Sequence, residues 1–239
     1  MAGVGETQRP SIGIVIPTLD EEARIGARLE QLRLACGFDR IVVSDGGSRD
    51  DTVAIACSHP DVVVVEAPRG RAHQMNRGAE ALAEVDTLCF VHADVSLPHD
   101  AGTLIRRALA DPAVVAGAFK TWTVADCESR PWWSPLLHLA DVRSRYTGLP
   151  YGDQALFVRR EIFTAIGGFP EQPLMEDLEL SRRLRRRGRI VRVPACVRVS
   201  GRRFIERPLF FTAVVNVFPL LYKMGVSPTA LRRLYDDIR

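Results

Sequence analysis

Four short polar segments follow hydrophobic runs in the first half of the sequence. They are residues 17–22, 45–48, 67–71 and 92–94. In an open α/β sheet, ligands bind outside the carboxyl ends of the strands, so these segments can meet around one ligand. Their carboxylates accept hydrogen bonds, and two arginines flanking a glycine suit phosphate oxygens. Each segment alone has an ordinary alternative, because Asp, Ser and Gly also cap helices and form turns.

Two acids, Glu176 and Asp177, stand at the start of a predicted helix that follows a Gly-Gly-Phe-Pro segment. Acids at a helix N-terminus also favour the helix dipole, which is the ordinary alternative for this pair. The six arginines between 182 and 189 follow acids at spacings of three and four. That order predicts a solvated helix face with internal ion pairs rather than a nucleic-acid site.

The elements that must position these residues alternate along the chain. Short apolar runs predict strands near 12–16, 41–43, 62–65, 88–91, 114–124, 155–158 and 190–199, the last broken at Pro194. Helical spacing of apolar residues predicts helices near 21–34, 51–58, 72–82, 100–109, 160–166 and 176–187. This alternation predicts an α/β fold with a mostly parallel sheet covered by helices on both faces.

The composition is that of one globular domain. The chain has 239 residues, of which 46% are hydrophobic and 26% charged. We expect a single domain over 1–239, with a ligand-binding half over about 11–100, a second half over about 101–204 and a C-terminal helical extension over about 205–239. The net charge of +3 is too small to make nucleic acid an expected partner.

Three features of the sequence bear on the cellular compartment of the protein: the cysteines, the N-terminal residues and one apolar stretch. The five cysteines are scattered without a C-x-x-C pair, so we expect reduced core thiols. The first ten residues are polar, which predicts no targeting signal and a cytoplasmic location. Residues 209–224 are too short and too polar for a transmembrane span. Three interpretations of this stretch stay open: peripheral contact with the inner face of the membrane, a homodimer interface, or packing on its own domain.

Several motifs together resemble the inverting glycosyltransferases of family 2. The series is I-P-T-L-D-E-E, V-S-D-G-G-S-R-D-D-T, H-A-D after a strand, and G-G-F followed by M-E-D. The longer segments P-R-G-R-A-H-Q-M-N-R-G-A, Y-G-D-Q-A-L-F-V-R-R and P-L-M-E-D-L-E-L-S-R-R-L are similar to the radical-SAM/selenodomain-associated transferase subgroup. The resemblance implies the GT-A fold and a nucleoside-diphosphate sugar donor, most often linked to UDP.

The resemblance also implies the nucleotide site. Pro17, Thr18 and Glu21 would line the base and ribose, and Asp45 would accept a hydrogen bond from the uracil ring. Arg69, Arg71 and Gln74 would lie near the diphosphate. For Asp45 the alternative is that it caps the turn that follows, and for the arginines it is that both are solvated.

Asp94 matches the second aspartate of the family's D-x-D motif, which holds Mg²⁺ or Mn²⁺ against the diphosphate. The first aspartate position holds His92, for which metal binding, sugar contact and plain packing all stay open.

Asp177 matches the general base that takes the acceptor's proton, and Glu176 is the second candidate for that role. Asp153 would lie near the sugar. Arg202 or Arg203 would contact the diphosphate or the acceptor, on a partial match to the family's Q-x-x-R-W segment.

These implications predict a metal-dependent inverting glycosyltransferase that acts on a small-molecule or lipid-linked acceptor. Two other functions are weighed against it. A sugar-phosphate nucleotidyltransferase is disfavoured because residues 17–20 are not a Gly-rich basic loop. A nucleotide-sugar-binding protein without catalysis is disfavoured by the presence of Asp94 and Asp177, although His92 keeps it open.

Overall fold

The arrangement of the chain comes from a computed structural model, which describes residues 9–35, 37–124, 138, 141, 148–202 and 208–238. The strands are β1 (Ile12–Thr18), β2 (Arg40–Asp45), β3 (Val62–Glu66), β4 (Thr87–Phe90), β5 (Val95–Ser96), β6 (Val114–Val124), β7 (Phe157–Arg159) and β8 (Arg189–Ser200). The helices are α1 (Glu22–Leu34), α2 (Thr52–Cys57), α3 (Arg71–Glu80), α4 (Ala101–Ala108), α5 (Arg160–Ala165), α6 (Glu176–Arg185), α7 (Pro208–Lys223) and α8 (Pro228–Ile238). A 3₁₀ turn covers Gly152–Gln154.

The described strands form one sheet in the order β3-β2-β1-β4-β7-β6-β8-β5. The first four positions are parallel to one another, and β6 and β8 are also a parallel pair. β7 is antiparallel to both β4 and β6, and β5 is antiparallel to β8 at the edge. The prediction of a mostly parallel sheet flanked by helices is confirmed.

Two hydrophobic clusters cover the two faces of the sheet. Ile12, Ile14 and Ile16 of β1 join the cluster that contains residues of α1, α2 and α4. Val15 points to the other face and joins residues of α3, α5 and α6. This alternation follows from the period of two along a strand, and burial on both faces explains why β1 is apolar throughout its first five residues.

Two local features differ from the sequence predictions. β8 is assigned as one strand through Pro194, but its register with β6 shifts between Arg192 and Cys196, so Pro194 lies in a bulge rather than at a strand end. Cys57 and Cys196 are exposed free thiols, and only Cys89 of the described cysteines is buried. The expectation of core thiols is therefore wrong for those two, while Cys36 and Cys127 lie outside the described residues.

The C-terminal helices pack onto the domain through one face. The Tyr222 hydroxyl donates to Glu179 Oε2 at 3.3 Å, and the Arg182 guanidinium lies 4.8 Å from the centre of the Tyr222 ring. The opposite side exposes Leu209, Leu220 and Met224. Residues 209–224 therefore pack on their own domain, at least along the side of α7 that carries Tyr222. In the parts of the chain that the structure describes, no helix combines the length and apolarity that a membrane span requires.

Candidate functional site

Thr18 and Asp45 end two neighbouring strands and are paired in register. Asp45 Oδ1 accepts from Thr18 Oγ1 at 3.1 Å and from Ser48 Oγ at 2.5 Å. Asp45 Oδ2 accepts from the backbone N–H groups of Gly47 and Ser48 at 2.9 and 2.8 Å. A carboxylate has about four acceptor positions, so these bonds saturate it. The turn-capping role of Asp45 is therefore realised, and its contact with a base stays a prediction.

Gln74 lies beneath this edge of the sheet rather than in an open cleft. It is 6% exposed, and its side-chain amide donates to the backbone oxygens of Thr18 and Ser44. A Cβ on Gly46 would stand 2.8 Å from Gln74 Nε2, so the glycine makes room for this amide. Gln74 thus ties the ends of β1 and β2 together, which the sequence prediction of a nucleotide contact did not foresee.

Glu21 is joined to a residue near the far end of the chain. Arg202 Nη2 donates to Glu21 Oε1 at 2.7 Å across a separation of 181 residues. Among the residues that the structure describes, no group forms a hydrogen bond with the buried Glu21 Oε2, and Arg24 Nη1 lies 3.8 Å from it. The pair brings the segment after β8 against the loop after β1. Arg203 lies outside the described residues.

Asp94 ends the segment that follows β4, and its carboxylate interacts through its charge with the guanidiniums of Arg28 and Arg71. Arg28 donates to Ala93 O at 3.2 Å, and burial lowers the pKa of Arg28 while the Asp94 carboxylate opposes that shift. The backbone oxygen of Asp94 accepts from the N–H of Ser200 at 3.0 Å. A cleft of about 510 Å³ opens beside Asp94, with Arg24, Arg28 and Arg198 among its lining residues. The charge of this cleft suits a polyanionic ligand.

The donor set at Asp94 fits a divalent cation that arrives with its own oxygen ligands. Within the described residues there is no group of three or more His, Cys, Asp or Glu side chains placed to hold a metal ion. One hard carboxylate suffices where substrate phosphates and water complete the shell, as Mg²⁺ commonly uses few protein ligands. Asp94 would supply that carboxylate.

Arg71 meets acids from a second helix. Arg71 Nη1 lies 3.4 Å from Glu176 Oε1, and the two residues are 105 positions apart. The Arg71 side chain is 42% exposed, whereas that of Glu176 is 4% exposed. Burial alone lowers the pKa of Arg71, but the carboxylates of Glu176, Asp177 and Asp94 outweigh burial and raise it. One guanidinium therefore lies in the field of three predicted site carboxylates.

Glu176 and Asp177 have different surroundings although they are adjacent. Burial raises the pKa of Glu176, while Arg71 opposes this shift and Asp177 adds to it. Asp177 Oδ2 accepts from the N–H of Gly152 at 2.6 Å, and Oδ1 accepts from the N–H of Leu178 at 2.7 Å. Met175, the residue before the pair, has a left-handed backbone with φ of 65°. Such a conformation is costly for a non-glycine residue and clusters at functional sites.

Gly152 brings the predicted metal side and the predicted base side together. A Cβ on Gly152 would stand 2.9 Å from His92 Nε2 and 3.4 Å from Asp177 Oδ2. Within the Tyr-Gly-Asp-Gln segment the sequence analysis selected Asp153, which is half-buried in the 3₁₀ turn. The contact with Asp177 comes instead from the backbone N–H of Gly152.

Nine of the predicted site residues fall into three groups, which are Thr18, Asp45 and Gln74, then Glu21 and Arg202, and finally Arg71, Asp94, Glu176 and Asp177. Glu176, Asp177, Arg71 and Asp94 interact directly or through their charges. Arg69 is exposed, and Pro17 is buried within β1. Sequence reasoning missed Arg28 and Gly152. Arg28 is one of many charged residues beside the apolar stripe of α1, and Gly152 contributes only a backbone group. The residue type of neither one therefore indicated a place in the site.

Comparisons with known proteins identify relatives of this chain. The family model for "Glycosyl transferase family 2" matches residues 13–167. The succinoglycan biosynthesis protein ExoA of Rhizobium meliloti (strain 1021) is 34% identical over 192 residues, which cover 73% of this chain and 58% of that protein. A PGL/p-HBAD biosynthesis glycosyltransferase of Mycobacterium bovis (strain BCG / Pasteur 1173P2) is 37% identical over 106 residues, or 41% of each chain. The chain therefore spans about half the length of these curated relatives.

Solved structures share the fold at low sequence identity. The mannosyltransferase PcManGT of Pyrobaculum calidifontis, in complex with GDP-Man and Mn²⁺, superposes with a TM-score of 0.65 at 22% identity. The match covers 95% of this chain and 68% of that one. TarS 1–349 of S. aureus in complex with UDP-GlcNAc gives a TM-score of 0.60 at 20% identity over 80% of this chain and 58% of the other. The fold is the predicted GT-A fold, and the chain belongs to glycosyl transferase family 2.

Proposed function

We propose that the chain is an inverting glycosyltransferase that takes a sugar from a nucleoside diphosphate and transfers it to an acceptor with the help of a divalent cation. One observation carries the proposal: the Arg71 guanidinium lies 3.4 Å from Glu176 Oε1 and in the electrostatic field of Asp177 and Asp94 as well. A phosphate-binding cation, a metal-binding carboxylate and a general base are thus available within one small volume.

Arg71 and Asp94 would bind the diphosphate of the donor. A divalent cation held by Asp94 would neutralise the diphosphate as it departs. Arg71 would hold the same phosphates from the α3 side, with N–H groups suited to phosphate oxygens. Arg28, Arg24 and Arg198 add positive charge to the adjoining cleft.

Asp177 would act on the acceptor as its general base. Its carboxylate is fixed by the backbone N–H groups of Gly152 and Leu178, and each oxygen keeps a further acceptor position. As the acceptor forms a bond to the anomeric carbon, Asp177 takes the acceptor's proton. The bond from that carbon to the diphosphate oxygen breaks on the opposite face, and the electron pair leaves with the diphosphate.

We further propose UDP as the carrier, on the family resemblance of the Asp45 segment. Two of the structural neighbours carry different nucleotides, one GDP-Man and one UDP-GlcNAc, so the base is to be tested directly. The acceptor is a small or lipid-linked molecule in this proposal.

Calorimetric titration of UDP, GDP, CDP and ADP, each with and without Mn²⁺, tests the donor site. The proposal expects UDP binding that strengthens with Mn²⁺ in the wild type and loses the metal dependence in Asp94→Ala. Asp61→Ala is the matched control, because Asp61 is an exposed aspartate remote from the site. A folded protein that binds none of the four nucleotides would overturn the proposal.

A further inference from the structure

Glu176 and Asp177 are neighbours that cannot share one task. Consecutive residues of a helix project about 100° apart, so the two carboxylates face different surroundings. Asp177 is held by backbone N–H groups on the side of Gly152, whereas Glu176 is 3% exposed and faces Arg71. Asp177 is partly exposed, so of the two carboxylates it is the one that solvent can reach.

A buried carboxylate requires a partner, because removing its charge from water is costly unless it is paired. Arg71 Nη1, at 3.4 Å from Glu176 Oε1, is that partner. The same ion pair also constrains the Arg71 side chain. Arg71 begins α3 directly after Gly70, whose φ of 136° is a conformation that favours glycine. The ion pair with α6 restricts where its long side chain can go.

Arg71 keeps donors for a second ligand. Guanidinium carries five N–H groups, and the contact to Glu176 uses the Nη1 end. The side chain remains 42% exposed and lies within the field of Asp94, the residue proposed to hold the cation of the diphosphate. A guanidinium can therefore bind Glu176 along one edge and phosphate oxygens along another.

We propose that Glu176 is a positioning residue that holds the Arg71 guanidinium against the diphosphate of the donor, so that the donor-side helix α3 and the base-bearing helix α6 are locked in one relative position. The proposal rests on the proposed function above. It gives Glu176 no part in proton transfer, which belongs to Asp177 alone.

UDP binding in a double-mutant cycle tests this. The variants are Glu176→Gln, Arg71→Ala and the two combined, with calorimetry of UDP and Mn²⁺ as the readout. Glutamine keeps the size and an acceptor oxygen while removing the charge. We expect Glu176→Gln to weaken UDP binding about tenfold, within the range of coupled charge pairs, and to have no further effect in the Arg71→Ala background.

Two controls separate positioning from general structure. Glu171→Gln removes the same charge from a carboxylate that is 72% exposed and pairs with His73 at 3.6 Å, so UDP binding should stay at the wild-type level. Glu176→Asp keeps the charge and should restore part of the lost affinity, which a purely steric role of the side chain would not explain. Thermal unfolding of each variant shows whether it is folded before binding is compared.

The outcomes are distinct. Wild-type binding of UDP by Glu176→Gln, or an equal loss in the wild-type and Arg71→Ala backgrounds, overturns the inference and leaves the proposed function standing. Failure of the wild type to bind any nucleoside diphosphate overturns the proposed function, and the inference falls with it.

Discussion

His92 and Asp177 meet at the backbone of Gly152. His92 Nε2 lies 2.9 Å and Asp177 Oδ2 lies 3.4 Å from the position of a Cβ on that glycine. His92, which stands in the first D-x-D position, and Asp177, the proposed base, therefore both have a side-chain atom within 3.4 Å of the same point. This proximity links the donor-metal side of the site to the acceptor side.

Gly152→Ala should reduce sugar transfer by about tenfold or more, because a displacement of catalytic groups by about 1 Å can cost up to a hundredfold. UDP binding should change little, since Arg71 and Asp94 do not touch Gly152. The measurement is turnover of the donor sugar identified by screening. Gly26→Ala is the control, because Gly26 lies in α1 and its Cβ would meet the flexible side chain of Ile55 in α2, at 3.3 Å from Cγ2. Unchanged turnover in Gly152→Ala would show that the Cβ is accommodated without moving Asp177.

Asp45→Asn should lower the free energy of unfolding by about 1–3 kcal/mol, because an amide cannot accept the four hydrogen bonds that now converge on the carboxylate. Urea unfolding measures this effect. A variant with wild-type stability that has lost only its preference for UDP would instead make Asp45 a base contact, contrary to the turn-capping role seen here.

Arg202→Ala should destabilise the protein more than removal of an ordinary surface ion pair, because Glu21 is partly buried and would lose its partner at 2.7 Å. We expect a loss of about 1–3 kcal/mol in urea unfolding. Arg33→Ala is the control, since Arg33 and Glu30 are 62% and 50% exposed, and such pairs contribute about 1 kcal/mol or less. Equal losses in the two variants would show that the Glu21–Arg202 pair contributes no more to stability than an exposed ion pair.

Glu176→Gln should gain stability relative to the wild type as the pH rises. The pKa of Glu176 is raised by burial in the folded protein, whereas an unfolded glutamate titrates near 4.3. Between these two pKa values the folded wild type binds more protons than the unfolded chain, so its free energy of unfolding falls as the pH increases. The glutamine variant has no carboxyl group at this position, so its free energy of unfolding lacks this decrease with pH.

Urea midpoints of both proteins from about pH 4 to pH 7 measure this difference. Glu171→Gln is the reference, because it makes the same substitution at a carboxylate that is 72% exposed. A Glu176→Gln difference that follows the reference at every pH would contradict the prediction.

The described cysteines should differ in reactivity. Burial raises the pKa of Cys89 to about 12, so its thiolate is scarce at pH 8, while Cys57 and Cys196 are exposed. Brief alkylation of the native protein followed by peptide mass spectrometry should modify Cys57 and Cys196 and spare Cys89 until urea is added. Early modification of Cys89 would indicate local opening of β4.

The sequence alone determined the elements and the residues at their ends. Apolar runs of period two and of helical period are local properties, so β1, β2 and β4 and the helices between them could be predicted close to their observed bounds. The placement of Asp45 at the end of β2, of Asp94 after β4 and of Asp177 in the first turn of α6 follows from the same local pattern, as does the prediction of a site at the carboxyl ends of the strands.

Only the tertiary structure decided which of these residues touch. The pairs Arg71–Glu176 and Glu21–Arg202 join positions 105 and 181 residues apart, and no local pattern encodes such a contact. The antiparallel insertion of β7 between β4 and β6 sets the path of the chain on the acceptor side, where Gly152 contacts Asp177 through a backbone group that every residue but proline also has. Residue types thus indicated a candidate chemistry, and the tertiary contact between Arg71 of α3 and Glu176 of α6 decided which of those groups meet.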